Sequence, residues 1–174
     1  MNRVIFGREG MDMALLFDSV YSPGGKFTPT GPGAYAFRIY RNYDGQGNKF
    51  GEISVQATSS DQDKLAVYAA TRAADKAVTL VVINKTAASL TANLFVASLA
   101  TEGRVLAGTA QSYRYSSANL NAIVKGADQP VGESSFTATF PANSITLIVL
   151  PTIFVSEGVP ATPAARIYLP AIQQ

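Results

Sequence analysis

The sequence predicts a mainly β chain, an antiparallel β-sandwich preceded by a strand, a loop and one helix of different character. Three observations predict it. From Glu52 onward apolar residues alternate with polar ones, and turn residues interrupt them every few positions. Upstream, Ala34 to Tyr43 carries apolar side chains at helical spacing. The segment Phe37 to Gly51 lies where one period gives way to the other, a seam between two architectures. The 174 residues suffice for one sizeable core and leave little for a second.

The elements follow in order. Residues 3–7, Arg-Val-Ile-Phe-Gly, read as a short buried strand, followed by a turn at Gly7 to Gly10. Asp12 to Phe17 fits a helical turn with Asp12 near its N-terminus. Residues 21–33 hold four Gly and three Pro and read as a loop. In the helix, Ala34, Phe37 and Tyr40 fall on one face, with Ala36, Ile39 and Tyr43 beside it. A helix apolar almost all round is expected to be buried, and Gly45 suits a left-handed cap at its end. Beyond the seam, Ile53, Val55 and Ala57 alternate with polar neighbours, and strands are expected at Leu65 to Ala70, Val78 to Asn84 and Ser89 to Ala97. Arg104 to Ala107 and Gln111 to Tyr115 follow; then Phe136, Ala138 and Phe140, and Ile145, Leu147 and Val149, flank the turn at Pro141. Short strands with frequent turn signals over 52–151 argue for a sandwich. Residues 152–166, with Pro160 and Pro163, read as a linker, and Ile167 to Pro170 as an apolar tail that docks on the sandwich or is disordered.

Composition removes several chemistries. There is no cysteine and no histidine, so disulfides, thiolate metal sites, His-ligated zinc and histidine-based triads are excluded within this chain. The 14 Lys and Arg nearly balance the 12 Asp and Glu and are scattered, so no basic face for nucleic acid is visible. No apolar run reaches the roughly 18 residues of a membrane-spanning helix. No signal-peptide pattern follows Met1; if a parent protein is secreted, its signal is expected outside this sequence.

The seam, Phe37 to Gly51, with Arg41-Asn-Tyr-Asp-Gly45 and Phe50-Gly51 as its most specific words, resembles glycoside hydrolase family 44. The resemblance continues through Ser54-Val55, Ala57 to Lys64 and Val67 to Ala69, and Ile5 to Gly10 with Asp12 and Ala14 resembles the segment that the family carries just before. It covers roughly residues 4–151. It implies an endo-acting β-1,4-glucanase, often active on xyloglucan, built from a (β/α)8 barrel joined to a β-sandwich. On that footing residues 1–51 hold the last strand, loop and helix of an incomplete barrel, 52–151 form the sandwich, and 152–174 are linker and tail. Loops after barrel strands build the active face, so Arg8, Glu9 and Phe17 in the loop 8–33 become candidate substrate contacts. Phe17 stands where the family often has a larger ring, which weakens sugar stacking there. The β-glucan partner would be met through the missing barrel, and the parent is expected outside the cell. An uncovered barrel strand and helix would fold back on the sandwich or drive self-association.

Retaining glycosidases need two carboxyl groups about 5–5.5 Å apart. The resemblance places both, as glutamates, on earlier barrel strands, and no residue here matches either. Asp61 and Asp63 read as a solvated turn; Glu9 and Asp12 read as helix-start residues. Asp44 and Asn48, in Asp-Gly-Gln-Gly-Asn, superficially suggest a Ca²⁺ loop, but the twelfth position is Val55 rather than Glu; a helix-ending turn is the simpler reading. Tyr113 and Tyr115 share one strand face with Arg114 opposite. They either pack on the core or form an open platform for sugar rings, although the chain has no Trp. Asn84-Lys-Thr86 is a formal glycosylation triplet at a strand end and carries no functional weight. Besides the hydrolase portion, a carbohydrate-binding module and an interaction domain of a surface protein remain open.

Overall fold

The sequence element with the clearest period, the helix, shows first how the chain is layered. The computed structural model describes residues 21–22, 26–27, 31–97, 99, 103–132, 134–154, 166–169 and 172–173. Helix α1 spans Pro32–Arg41. Pro32 sits in its first turn, where a missing N–H costs nothing, and Arg38 and Arg41 lie in the last turn, at the negative end of the helix dipole. The helix therefore begins and ends two residues before the expected bounds. It closes at Asn42, whose N–H donates to the Arg38 carbonyl at 2.7 Å. Gly45 does take a left-handed φ of +78°, but in the loop that follows rather than at the helix end.

Burial all round the helix is not what the structure has. Ala34, Tyr35 and Ile39 are buried, while Pro32, Arg38 and Arg41 are exposed. Tyr35, Ile39 and Tyr43 recur at intervals of four, and that spacing makes one continuous stripe. The residues 21–33 are likewise less uniform than a loop. They hold a minimal antiparallel hairpin, β1 (Tyr21–Ser22) with β2 (Lys26–Phe27), and give their last two residues to α1. The strand expected at 3–7 and the turn at Asp12 to Phe17 lie outside the described residues.

Strands β3 (Ile53–Ser59), β4 (Leu65–Thr71), β5 (Val78–Asn84) and β6 (Leu90–Ala97) lie where the sequence predicts strands, as do β7 (Arg104–Leu106), β8 (Thr109–Ser116), β11 (Ser135–Phe140) and β12 (Ser144–Leu150), although Ile53 at the start of β3 is exposed. Further strands are β9 (Asn119–Lys125), β10 (Gln129–Pro130), β13 (Thr152–Phe154), β14 (Arg166–Leu169) and β15 (Ile172–Gln173). The main path runs β10-β8-β12-β5-β4-β3-β14-β6-β11, with β9 on β8 and β15 on β6. All its pairings are antiparallel except β14 with β3. Strand β3 turns the corner: Ile53 to Val55 pair with β4, and Gln56 to Ser59 pair with β14. Strands that change partners in this way let one sheet fold over itself as a sandwich.

Two cores result. Leu65, Val67, Leu80 and Val82 of β4 and β5 meet Leu90, Leu94, Phe136 and Phe140 of β6 and β11. On the other face, Val81, Leu147 and Val149 meet Tyr35, Ile39 and Tyr43. The middle sheet is thus covered on both sides, so β5 and β12 are buried almost continuously, whereas β6 keeps a wet outer face and alternates strictly.

Residues 152–154 of the expected linker form β13 and pair with β7, and residues 155–165 lie outside the described residues. The tail docks: the Arg166–Leu169 backbone lies between β3 and β6.

Candidate functional site

The seam is a folded device that fixes α1 to the sandwich. Its Asn42 side-chain carbonyl accepts the Gly47 N–H at 2.7 Å, and the Tyr43 N–H donates to the Asn48 carbonyl at 3.2 Å. Asp44 Oδ1 accepts the N–H groups of Gln46 at 2.9 Å and Asn48 at 3.3 Å, and Oδ2 accepts the Asn48 side-chain amide. Gly45 and Gly47 both adopt positive φ, at +78° and +90°, which glycine tolerates and other residues resist. Past the loop, the Phe50 N–H returns to the Tyr40 carbonyl at 3.0 Å, and the Phe50 ring meets Tyr40 edge-on at 5.4 Å. The Gly51 N–H donates to Thr79 Oγ1 at 3.0 Å. A Cβ on Gly51 would stand 2.5 Å from the Thr71 carbonyl carbon, so only glycine lets the chain pass this close. Asp44 and Asn48, the weak calcium candidates, therefore spend their oxygens and amide on the turn. Among the described residues no three acidic side chains gather in one place.

The tyrosines of β8 lie under α1. Tyr113 and Tyr115 are only 9% and 7% exposed. Tyr35 stacks on Tyr115 at 4.9 Å and 15°, and Tyr43 tilts against Tyr113 at 4.6 Å. With both rings so engaged, β8 offers packing rather than an open row of faces for a sugar. The hydroxyls are also used. Tyr115 donates to the Leu120 carbonyl at 3.2 Å, Tyr35 donates to the Asn121 carbonyl, and Tyr43 accepts from Arg72 Nη1 at 2.7 Å. Burial pushes Tyr115 and Tyr43 above the usual tyrosine range, in Tyr43 against the opposing pull of Arg72. Arg72 in turn forms a forked ion pair with Asp75 at the β4–β5 turn. The sequence signal for this layer was the four-residue spacing of Tyr35, Ile39 and Tyr43, which the aromatic residues Phe37 and Tyr40 obscure.

Among the described residues four carboxyl groups are displaced from their ordinary ionisation, and all four are displaced downward. Asp61 is held low first by the Lys64 N–H at 3.0 Å, and Glu52 first by the Ala73 N–H at 3.0 Å. In Asp44 and Asp75 partial burial works the other way, but hydrogen bonds from Asn48 and from Arg72 respectively outweigh it. These groups stay ionised at neutral pH and have no proton to give. A glycosidic general acid needs the opposite displacement. Asp61 and Asp63 form the expected turn, with the Asp63 N–H on Asp61 Oδ1 at 3.0 Å. Arg8, Glu9 and Phe17 lie outside the described residues.

No protein-family model matches the chain. Solved structures do match. The chain is similar to CelM2, a bifunctional glucanase-xylanase from a metagenome library, with 32% identity and a TM-score of 0.66 over 86% of this chain and 26% of that one. It is similar to a glycoside hydrolase family 44 endoglucanase of Clostridium acetobutylium, with 25% identity and a TM-score of 0.66 over 85% of this chain and 27% of the other. A beta-mannanase/endoglucanase A of Caldicellulosiruptor saccharolyticus is 33% identical over 82 residues, which is 47% of this chain and 6% of that protein. The chain thus spans about a quarter of the two solved structures and a far smaller share of the curated relative. The resemblance to family 44 that the seam carries holds at the level of sequence and fold, and the chain is related to endoglucanase-type glycoside hydrolases.

Proposed function

We propose that this chain is the C-terminal β-sandwich portion of a family 44-like endo-β-1,4-glucanase acting on cellulose or xyloglucan-type polysaccharides. In this reading it supports a catalytic (β/α)8 barrel and is inactive alone. Residues 1–51 contribute the last strand, loop and helix of that barrel, and the catalytic glutamates stand on earlier strands. The parent works outside the cell and meets β-glucan through the barrel.

One observation carries the reading. The residues that bear the family resemblance, Asn42 to Gly51, make turn and packing contacts that hold a helix against a sheet. The four displaced carboxyls among the described residues are all stabilised as carboxylates, and the chain has no histidine. These side chains serve architecture. A free-standing binding module gains no support from β8, whose tyrosine faces are covered by α1.

Affinity electrophoresis in gels containing xyloglucan separates the two ideas. The supporting role predicts migration identical to that in plain gels. Retardation that disappears in Tyr113→Ala, with the fold intact by circular dichroism, would move the assignment to a binding module.

A further inference from the structure

We propose that the cleft between the shared face of β8 and β12 and the edge strand β11 is a binding site for a carboxylate-bearing ligand, with Arg114 as its cation. The proposal does not rest on the hydrolase reading and concerns the face of β8 opposite the tyrosines.

Arg114 sits at the mouth of the sandwich. Its Nε–H donates to Thr146 Oγ1 at 3.3 Å and its Nη2–H donates to the Thr139 carbonyl at 3.2 Å. Its Nη1 makes no hydrogen bond to a described residue. The ion pairs among the described residues engage Lys64, Arg72 and Lys125, and none reaches Arg114. Burial displaces its guanidinium downward, and no acid among the described residues opposes it. A guanidinium nonetheless stays charged in a protein, so the cleft holds a positive charge with part of its hydration removed and no carboxylate among the described residues to replace it.

The rest of the lining suits an oxyanion. Ser112, Gln129, Thr139 and Thr146 border the cleft beside Arg114, over an apolar floor that includes Phe140 and Ile148. Ser112 and Gln129 have no side-chain hydrogen bond to a described residue, so a hydroxyl and an amide are free to donate together with Nη1. Gly126 makes room for that hydroxyl. A Cβ there would fall 2.3 Å from Ser112 Oγ, and the Gly126 N–H bonds the Ser112 carbonyl at 2.8 Å. A planar guanidinium with a free N–H matches a carboxylate better than it matches a neutral hydroxyl. Two sources of that group fit, a uronic acid unit of an acidic polysaccharide and a small free carboxylate.

The test is a titration of the ¹⁵N-labelled whole chain, followed by amide chemical shifts, with sodium D-glucuronate, sodium acetate, D-glucose and sodium chloride at matched concentration. The expected result is saturable change confined to 110–114, 129, 138–140 and 146–148 with glucuronate, and none with glucose or chloride. In Arg114→Gln the affinity should fall by about tenfold or more; Arg114→Lys should fall between, since it keeps the charge and loses the fork. If glucuronate binds more tightly than acetate, the ligand is a uronate sugar; equal binding assigns a small carboxylate. Ser112→Ala provides a second variant, weakened severalfold, should Arg114→Gln not fold. Unsaturable change shared with chloride, no change, or undiminished affinity in the folded Arg114→Gln chain would overturn the proposal and leave Arg114 as a cover for the Thr139 carbonyl.

Discussion

Asn84 shows how completely one side chain can be committed. It is 1% exposed, and its amide N–H groups are shared among the carbonyls of Ala88, Phe140 and Pro141, at 2.8, 2.9 and 2.9 Å. Its carbonyl accepts the Thr86 N–H and hydroxyl. One residue thereby ties the end of β5 to the β11–β12 turn, and the glycosylation triplet it heads has its nitrogen inside the fold. Asn84→Asp replaces that donor by an acceptor facing three carbonyls, and should cost about 3 kcal/mol at pH 7 in urea unfolding. The new carboxyl can donate only when protonated, so its folded-state pKa is raised. Part of the stability should return below the ordinary carboxyl value of about 4 and be lost as pH climbs through the raised value. At this scale the sequence is readable only in part. The shared face of Tyr113 and Tyr115 follows from strand period. Their cover does not, because Tyr35 arrives from a distant helix and Tyr43 from the loop just after it, and no local pattern ties that register to β8.

At the scale of elements, α1 is held by a stripe, a loop and a clamp. Ile39 is fully buried between the helix and the middle sheet, and Ile39→Ala should cost about 3 kcal/mol by the cavity it leaves. Gly51→Ala must push apart the strand entry and the Thr71 backbone, and should cost about 2 kcal/mol or more. Both are measured as shifts of the unfolding midpoint. The Arg72–Asp75 pair joins the clamp through Tyr43. Because Asp75 titrates below its ordinary value in the folded chain, its contribution is in place above about pH 4 and is lost as pH falls through the lowered value. Asp75→Asn should flatten that part of the stability curve; an unchanged acid limb would show that the pair contributes nothing. Strands β3 to β6, β11 and β12 were legible because apolar residues mark their inner faces. Strand β9 was not: Asn119, Leu120 and Asn121 carry no alternation, and its pairing to β8 is irregular, with a register shift between Arg114 and Ser116. Strand β14 hid behind proline-bearing sequence and forms by pairing with β3 and β6.

At the scale of the whole molecule, helix, sheet and sheet stack as three layers, and the middle sheet is apolar on both sides. That is why the chain can carry 47% hydrophobic residues without a membrane-length helix among its described residues. The same layering covers the rings of Tyr113 and Tyr115, while turn hydrogen bonds occupy the carboxylates of Asp44, Glu52, Asp61 and Asp75. On the proposed reading this chain supplies architecture and no hydrolytic chemistry. Reducing-sugar release from xyloglucan and carboxymethylcellulose by the purified chain tests it most directly. The account predicts no release above the buffer blank at any pH from 4 to 8, roughly the range in which a glycosidic acid–nucleophile pair works; steady turnover proportional to protein concentration would contradict it.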